Sequence, residues 1–216
     1  MNEMLLPLLR GLVVTVELTL AAIALAVVFA LAAGLARLSP RRALAWPAVV
    51  YIEVFRGTSA LVQLFWFYFV LPFFGIELPA FIAGMLVLAL NTGAYGAEVV
   101  RGAVLAVPRG QLDASAALNL SRRQTLWRIV MPQAFPAMLP PAGNLAIELL
   151  KNSALVSLIT ITELTFAAQL LRAETLRTAE IFGLVLVLYF GVALCITAGV
   201  RLLERRAARG LERGAA

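Results

Sequence analysis

Five apolar stretches divide the chain, over residues 12–36, 57–76, 78–97, 138–161 and 181–203. Each approaches or exceeds the roughly 20 apolar residues that a helix needs to cross a hydrocarbon core. The ten prolines avoid the middles of these blocks. Pro40 and Pro47 follow the first, and Pro72 and Pro79 bracket the turn between the second and third. Pro108 precedes a more polar segment, and Pro132, Pro136, Pro140 and Pro141 lead into the fourth. Proline removes a backbone donor and ends helices, so the pattern predicts an all-α polytopic membrane protein. It has five transmembrane helices in a single domain over 1–216, with one long interruption at 98–137. The first thirteen residues, "MNEMLLPLLRGLV", are predicted to lie along the membrane interface before the chain turns inward.

The interruption has a pattern of its own. In "GQLDASAALNLSRRQTLWRIVMPQAFP", from Gly110 to Pro136, residues 111–118 predict a short helix of small residues. Asp113 lies in its first turn, where a carboxylate meets the positive end of the helix dipole. Asn119 predicts a left-handed turn, and Ser121 with Gln124 makes the S-x-x-Q capping box of a second helix. Leu126, Ile129 and Val130 then form an apolar stripe at i, i+3, i+4, with Pro132 closing the turn. The reading is helix, bend, helix. Pattern alone leaves two uses open: a docking surface for a partner, or an amphipathic helix resting on lipid headgroups.

Composition narrows the class. Hydrophobic residues make up 62% of the 216 and charged residues 14%, against about 25% charged in soluble domains, so lipid is the expected solvent. The formal charge of +6 raises nucleic acid as a partner, but the arginines flank apolar blocks and form no basic patch interleaved with aromatics. They orient the chain instead. With the N-terminus outside, the inner side holds Arg37, Arg41, Arg42, Arg56, Arg101, Arg109, Arg122, Arg123, Arg128, Arg201, Arg205, Arg206, Arg209 and Arg213. The outer side holds only Arg10, Arg172 and Arg177. The C-terminus is therefore predicted to be cytoplasmic. A single cysteine, Cys195, and no histidine argue against disulfides, structural zinc and histidine acid–base chemistry.

Polar residues inside the blocks are the candidates for a pathway, because they are costly in lipid and face interiors or cavities. Asn144, Glu148 and Asn152 recur every four residues in the fourth block, with Lys151 adjacent and Ser153 following. Counting from Leu139 at about 1.5 Å per residue puts Lys151 roughly 18 Å in, near mid-bilayer. Glu148 and Lys151, three apart, either neutralise each other along the helix or receive a zwitterion, carboxylate to ammonium and ammonium to carboxylate. Asn91, Thr92 and Tyr95 of the third block are candidate hydrogen-bonding partners for such a solute. Glu17 is predicted at the outer headgroup level, and Glu53 with Arg56, like Glu98 with Arg101, as interfacial pairs three apart.

Asp113-Ala114-Ser115, Asn119, Ile129, Met131 and Pro132 resemble, in spacing throughout, the E-A-A…G…I-x-L-P motif of ATP-binding cassette importer permeases. Asp replaces Glu, Ser the second Ala, Asn the Gly and Met the Leu. The blocks "YIEVFRGTSALVQLFWFYFVLP", "NTGAYGAEVVRGAVLAVPRGQ" and "GNLAIELLKNSALVS" look like successive blocks of the polar-amino-acid subfamily, which usually has Thr-Pro at Thr58-Ser59. The resemblance implies the type I importer permease fold in a bacterial inner membrane. It implies coupling to an ATPase through Gln111, Asp113, Ala114, Ser115, Asn119, Arg122, Arg123 and Pro132. It further implies three kinds of partner: a cytoplasmic ATPase dimer, a second permease subunit, and an extracytoplasmic solute-binding protein. Related permeases carry acids at Leu145 and Asn152. Their loss here shifts the expected solute from a cationic amino acid to a neutral or zwitterionic one, and the run "ELLKNSALVSLITITELTFAAQLLR" also resembles permeases for ectoine.

The P-loop pattern G-x-x-x-x-G-K-[ST] is absent, and the one lysine, Lys151, lacks its glycine context. The chain is therefore expected to be non-catalytic and to hold no cofactor, with ATP and magnesium on the partner ATPase. Two rivals remain. An ion-coupled transporter or channel would use Glu148 and Lys151 as a relay, and a membrane-embedded hydrolase would need Ser153 activated by Lys151.

Overall fold

The computed structural model describes the backbone of residues 2–212 and side chains from Met4 to Ala207. Arg213 and the side chain of Arg209, both counted above in the basic tail, lie outside what is described. Among the described residues every element is helical.

α1 runs without a turn from Asn2 to Arg37, so residues 2–13 continue the helix rather than lying across its end. Pro7 deletes one hydrogen bond in its second turn and leaves the apolar register intact. At about 1.5 Å per residue α1 is roughly 54 Å long, longer than a ~30 Å hydrocarbon core. It packs lengthwise on α4 (Ala80–Leu105). Small residues make that seam: a Cβ added at Gly96 would lie 2.8 Å from Ala30 Cβ, and one at Gly34 2.8 Å from the Ala97 carbonyl. In lipid, helices associate through this close packing rather than through hydrophobicity. Leu18, Ala22 and Ala26 of α1 join Val87 and Leu88 of α4, Leu149 and Val156 in the largest buried cluster.

The second apolar block is not one straight helix. α2 (Arg42–Gly57) precedes it, and the chain then bends by 106° into α3 (Ala60–Phe65). A π turn at Trp66–Val70 and a 3-10 turn at Leu71–Phe74 continue α3. The interruption and the fourth block are similarly built. α5 (Arg109–Ala117) is followed by α6 (Arg122–Gln124), a π turn over Thr125–Val130, and α7 (Met131–Asn152). A 3-10 stretch, Ser153–Ile159, leads to a 54° bend and α8 (Leu164–Thr175). Pro132 does not close the turn, since helix continues through it from Arg122. The wider π turn immediately before it relaxes the ladder where a proline lacks its donor. Pro136, Pro140 and Pro141 likewise lie inside α7.

α9 (Thr178–Glu212) packs mainly along α7. Its outer surface, with Leu186, Val187, Phe190 and Leu194 exposed, is apolar. Among the described residues three helices are long and apolar enough to cross a membrane, and up to five when each bent pair counts as one span.

Candidate functional site

The arginine-rich bend is compact. α5 ends at a left-handed Asn119, φ 55°, a conformation that Asn tolerates better than other non-glycine residues. The Leu120 amide donates to the Ser115 carbonyl at 3.0 Å and the Asn119 amide to Ala116 at 2.9 Å, closing α5. Ser121 and Gln124 form a reciprocal capping box, the Ser121 amide donating to Gln124 Oε1 at 2.8 Å. Gln111, Asp113, Ala114, Asn119, Arg122, Arg123 and Pro132 are exposed, whereas Ser115 is buried. Ser115 Oγ donates to the Leu112 carbonyl at 2.7 Å and accepts from Thr125 Oγ1 at 3.1 Å. Ser115 thus ties α5 to the π turn that leads into α7. Leu118, 73% exposed at the tip, is an apolar prong that a motif reading passes over because its position is unconstrained there.

Behind the bend, charges bind three helices together. Glu98 of α4 pairs with Arg37 of α1 and, at 2.9 Å, with Arg101. Glu53 of α2 reaches Arg37 at 3.8 Å rather than pairing with Arg56. Arg56 instead lies over the Tyr95 ring, 5.2 Å from its centroid.

The polar residues of the third and fourth blocks separate into two groups. Asn144, Glu148 and Lys151 are exposed along α7, and no ion pair joins Glu148 to Lys151. Their charges are left available to something outside the chain. Asn152 is half-buried, and Ser153 is fully buried, its hydroxyl donating to the Leu150 carbonyl at 2.7 Å. A hydrolase pairing of Ser153 with Lys151 therefore has no geometric basis. Thr92 lines a cavity of about 70 Å³ among α1, α4 and α7.

Asn91 and Tyr95 serve the α2–α3 break. Asn91 Nδ2 donates to the Phe55 carbonyl at 2.9 Å and to Gln63 Oε1 at 3.3 Å. Gln63 Nε2 donates to Phe55 O at 2.9 Å, Thr58 O at 3.2 Å and Thr58 Oγ1 at 2.7 Å. Carbonyls freed where α2 ends are satisfied by these two amides, as a buried helix end requires. The Tyr95 hydroxyl adds a 3.4 Å bond to Arg56 O.

Sequence reasoning also passes over Glu163, which is fully buried at the α7–α8 bend. Its carboxylate caps α8, accepting from the Thr165 amide at 2.8 Å and the Phe166 amide at 2.9 Å. It also accepts from Thr15 Oγ1 of α1 at 3.3 Å and the Tyr189 hydroxyl of α9 at 3.0 Å. One side chain joins α1, α8 and α9.

Residues 11–209 match the family described as the inner membrane component of binding-protein-dependent transport systems. The chain belongs to this family. It is 47% identical over 191 residues to the probable amino-acid ABC transporter permease protein y4tF of Sinorhizobium fredii, covering 86% of this chain and 80% of that protein. It is 38% identical to the glutamine transport system permease protein GlnP of Escherichia coli, covering 84% of each. The L-cystine transport system permease protein TcyB of Bacillus subtilis is 37% identical, over 77% of this chain and 71% of that one. Among solved structures, an amino acid ABC transporter with histidines superposes at a TM-score of 0.88 with 36% identity, over 95% of this chain and 96% of that one. The MetNI methionine ABC transporter in an inward-facing form superposes at 0.79 with 21% identity, over 96% and 99% of the two chains, which speaks for the fold alone.

As a binding-protein-dependent permease component, the chain is a non-catalytic, multi-pass inner-membrane subunit with the type I importer fold. Nucleotide hydrolysis in such a system lies in separate ATPase subunits, and a second permease completes the membrane part. The exposed bend and the unpaired α7 charges are surfaces of this permease without partners among the described residues.

Proposed function

We propose that this permease forms half of an ATP-driven import pathway for a small polar or zwitterionic amino acid, or a derivative such as ectoine. The supporting observation is the α7 face, where Glu148 and Lys151 lie exposed and unpaired in an apolar rod with Asn144 beside them. A solute carrying both charges satisfies both groups, and one carrying neither leaves two charges uncompensated at membrane depth. The names of the relatives, which transport glutamine, cystine and octopine, fit that class.

In this reading the N-terminus is outside and the arginine-rich end is cytoplasmic, following the lysine and arginine asymmetry. Two ATPase subunits, carrying ATP and magnesium, grip the bends of two permease chains through Asp113, Ala114 and the Leu118 prong. A solute-binding protein serves the outer side. Closure of the ATPases pushes α5, and because Ser115 and Thr125 join α5 to the π turn continuous with α7, the push arrives at Glu148 and Lys151 as a movement of α7. Alternating access follows from the paired bundles rocking about the solute.

The test is co-purification with the ATPase and solute-binding subunits, followed by ATP-driven uptake into proteoliposomes over a panel of glutamine, cystine, octopine and ectoine. Stimulation by at least one solute is expected. Asp113→Arg is expected to leave insertion normal while lowering uptake at least tenfold relative to ATP turnover. Unchanged uptake in that variant would remove the bend from the mechanism.

A further inference from the structure

The end of the bundle away from the arginine-rich bend holds a second pair of opposite charges that the transport reading does not use. Between α1 and α8 lies a cleft of about 400 Å³, flanked by Arg10 and Glu174 and lined by Gly11, Val14, Thr162 and Leu170. That volume falls in the roughly 300–1,000 Å³ range of small-molecule sites. Both charged side chains are exposed, and the ion pairs among the described residues all lie elsewhere.

The walls are fixed in place. A Cβ added at Gly11 would lie 2.9 Å from Leu164 Cα, so the two helices meet backbone to backbone at the cleft. One turn further along α1, Thr15 Oγ1 accepts from the Leu164 amide at 3.1 Å and donates to the Glu163 carboxylate at 3.3 Å. The cleft walls are thus held in place without a ligand, and a preformed cleft lowers the cost of binding.

Charge decides what fits. An anion alone gains Arg10 and is repelled by Glu174, a cation alone meets the reverse, and a neutral molecule gains from neither. A small zwitterion gains from both, with the Thr162 hydroxyl as a third polar contact. Depth decides where it comes from. Counting back from Arg37 by about 20 residues, the length that spans a ~30 Å core, reaches Glu17. Arg10 then stands roughly 10 Å beyond the hydrocarbon, at the headgroup and water level.

We propose that this cleft is a binding site for a small zwitterion, Arg10 taking its anionic group and Glu174 its ammonium. Its assignment to the outer face rests on the orientation given under the proposed function. A free amino acid and a phosphatidylethanolamine headgroup share this chemistry, and the experiment separates them.

The full-length permease is reconstituted into nanodiscs of phosphatidylglycerol alone. Equilibrium binding of labelled glutamine, cystine, octopine and ectoine is measured, and retention of added phosphatidylethanolamine is followed by native mass spectrometry. Arg10→Gln and Glu174→Gln are each expected to weaken one of these ligands at least tenfold. The exchange Arg10→Glu with Glu174→Arg is expected to recover binding to within about threefold, since a zwitterion can reverse. Each titration is repeated with Glu148→Gln and Lys151→Met present, which removes the α7 site of the proposed function, so that the binding left is the cleft's own. Loss confined to phosphatidylethanolamine assigns the lipid as the zwitterion, and loss confined to an amino acid assigns a solute in transit. The proposal is overturned if the wild type binds none of these ligands, or if both single variants bind all of them as the wild type does. It is also overturned if the variants lose only the docking of the solute-binding protein. Failure of the ATPase to co-purify bears on the transport reading and leaves this measurement intact.

Discussion

A single side chain, Glu163, holds the α7–α8 bend of this permease, and its energetics can be separated from transport. Glu163 is fully buried and accepts from two backbone amides and two hydroxyls. Truncation leaves buried donors without a partner, at about 1–3 kcal/mol each where they cannot re-pair. Thr15 has a second acceptor in the Gly11 carbonyl at 3.1 Å, and Thr165 Oγ1 lies 3.1 Å from the Tyr189 hydroxyl, so the helix-capping amides suffer most. Glu163→Ala is therefore expected to destabilise the chain by about 2–4 kcal/mol, and Glu163→Gln, which keeps one acceptor oxygen, by less than half of that. Thermal unfolding in detergent checks the ranking, and equal effects would refute the capping account. Leu176 offers the opposite case. It closes α8 at φ 58° with its side chain 84% exposed, so it carries left-handed strain and little packing. Leu176→Gly is expected to stabilise by about 0.5–1 kcal/mol, read as a rise in the unfolding midpoint.

At the scale of elements, the breaks matter more than the spans. The amides of Gln63 and Asn91 converge on the Phe55 carbonyl and on each other. Gln63→Leu is expected to cost about 1–3 kcal/mol, and Asn91→Leu a similar amount. The double variant should cost clearly less than their sum, because both act on one network. KM for the transported solute should change little in Asn91→Leu, and a large rise in KM with unchanged stability would return Asn91 to the pathway. Such breaks were poorly legible in the chain. Hydropathy is continuous from Ala60 to Ile76 and carries no mark of a 106° bend before it. α2 escaped notice because arginines stand at both its ends, and α8 because Gln169 and Arg172 interrupt its apolar stripe. π and 3-10 segments have no compositional signature at all. The bend at Asn119 was legible because its signals are local: a residue that tolerates φ 55°, then Ser121 and Gln124 three apart. Asn144 and Glu148 were legible as one face because i, i+4 spacing fixes it on any helix. That Asn91 turns toward Gln63 depends on tertiary packing, which spacing does not encode.

At the scale of the whole molecule, one chain is an incomplete solution to the lipid problem. The α9 surface with Leu186, Val187 and Phe190 suits hydrocarbon. The α7 face with Glu148 and Lys151 does not, since a charge at the centre of a span costs about 2.5–3.5 kcal/mol even on insertion scales. In the proposed pathway a second permease related by a two-fold axis covers that face and leaves it polar enough to pass a solute. In a two-fold interface residues near the axis meet their own copies. A single cysteine at such a position therefore reports the geometry directly. In a Cys195→Ser background, Glu148→Cys is expected to give a disulfide-linked dimer on mild oxidation in membranes, and Val187→Cys on the lipid side is not. If the partner is a distinct permease, Glu148→Cys cross-links only when a cysteine stands at the facing position of that partner. Cross-linking at Val187 with none at Glu148 would move the pathway away from α7. The Glu148 and Lys151 charges would then need some other cover from lipid.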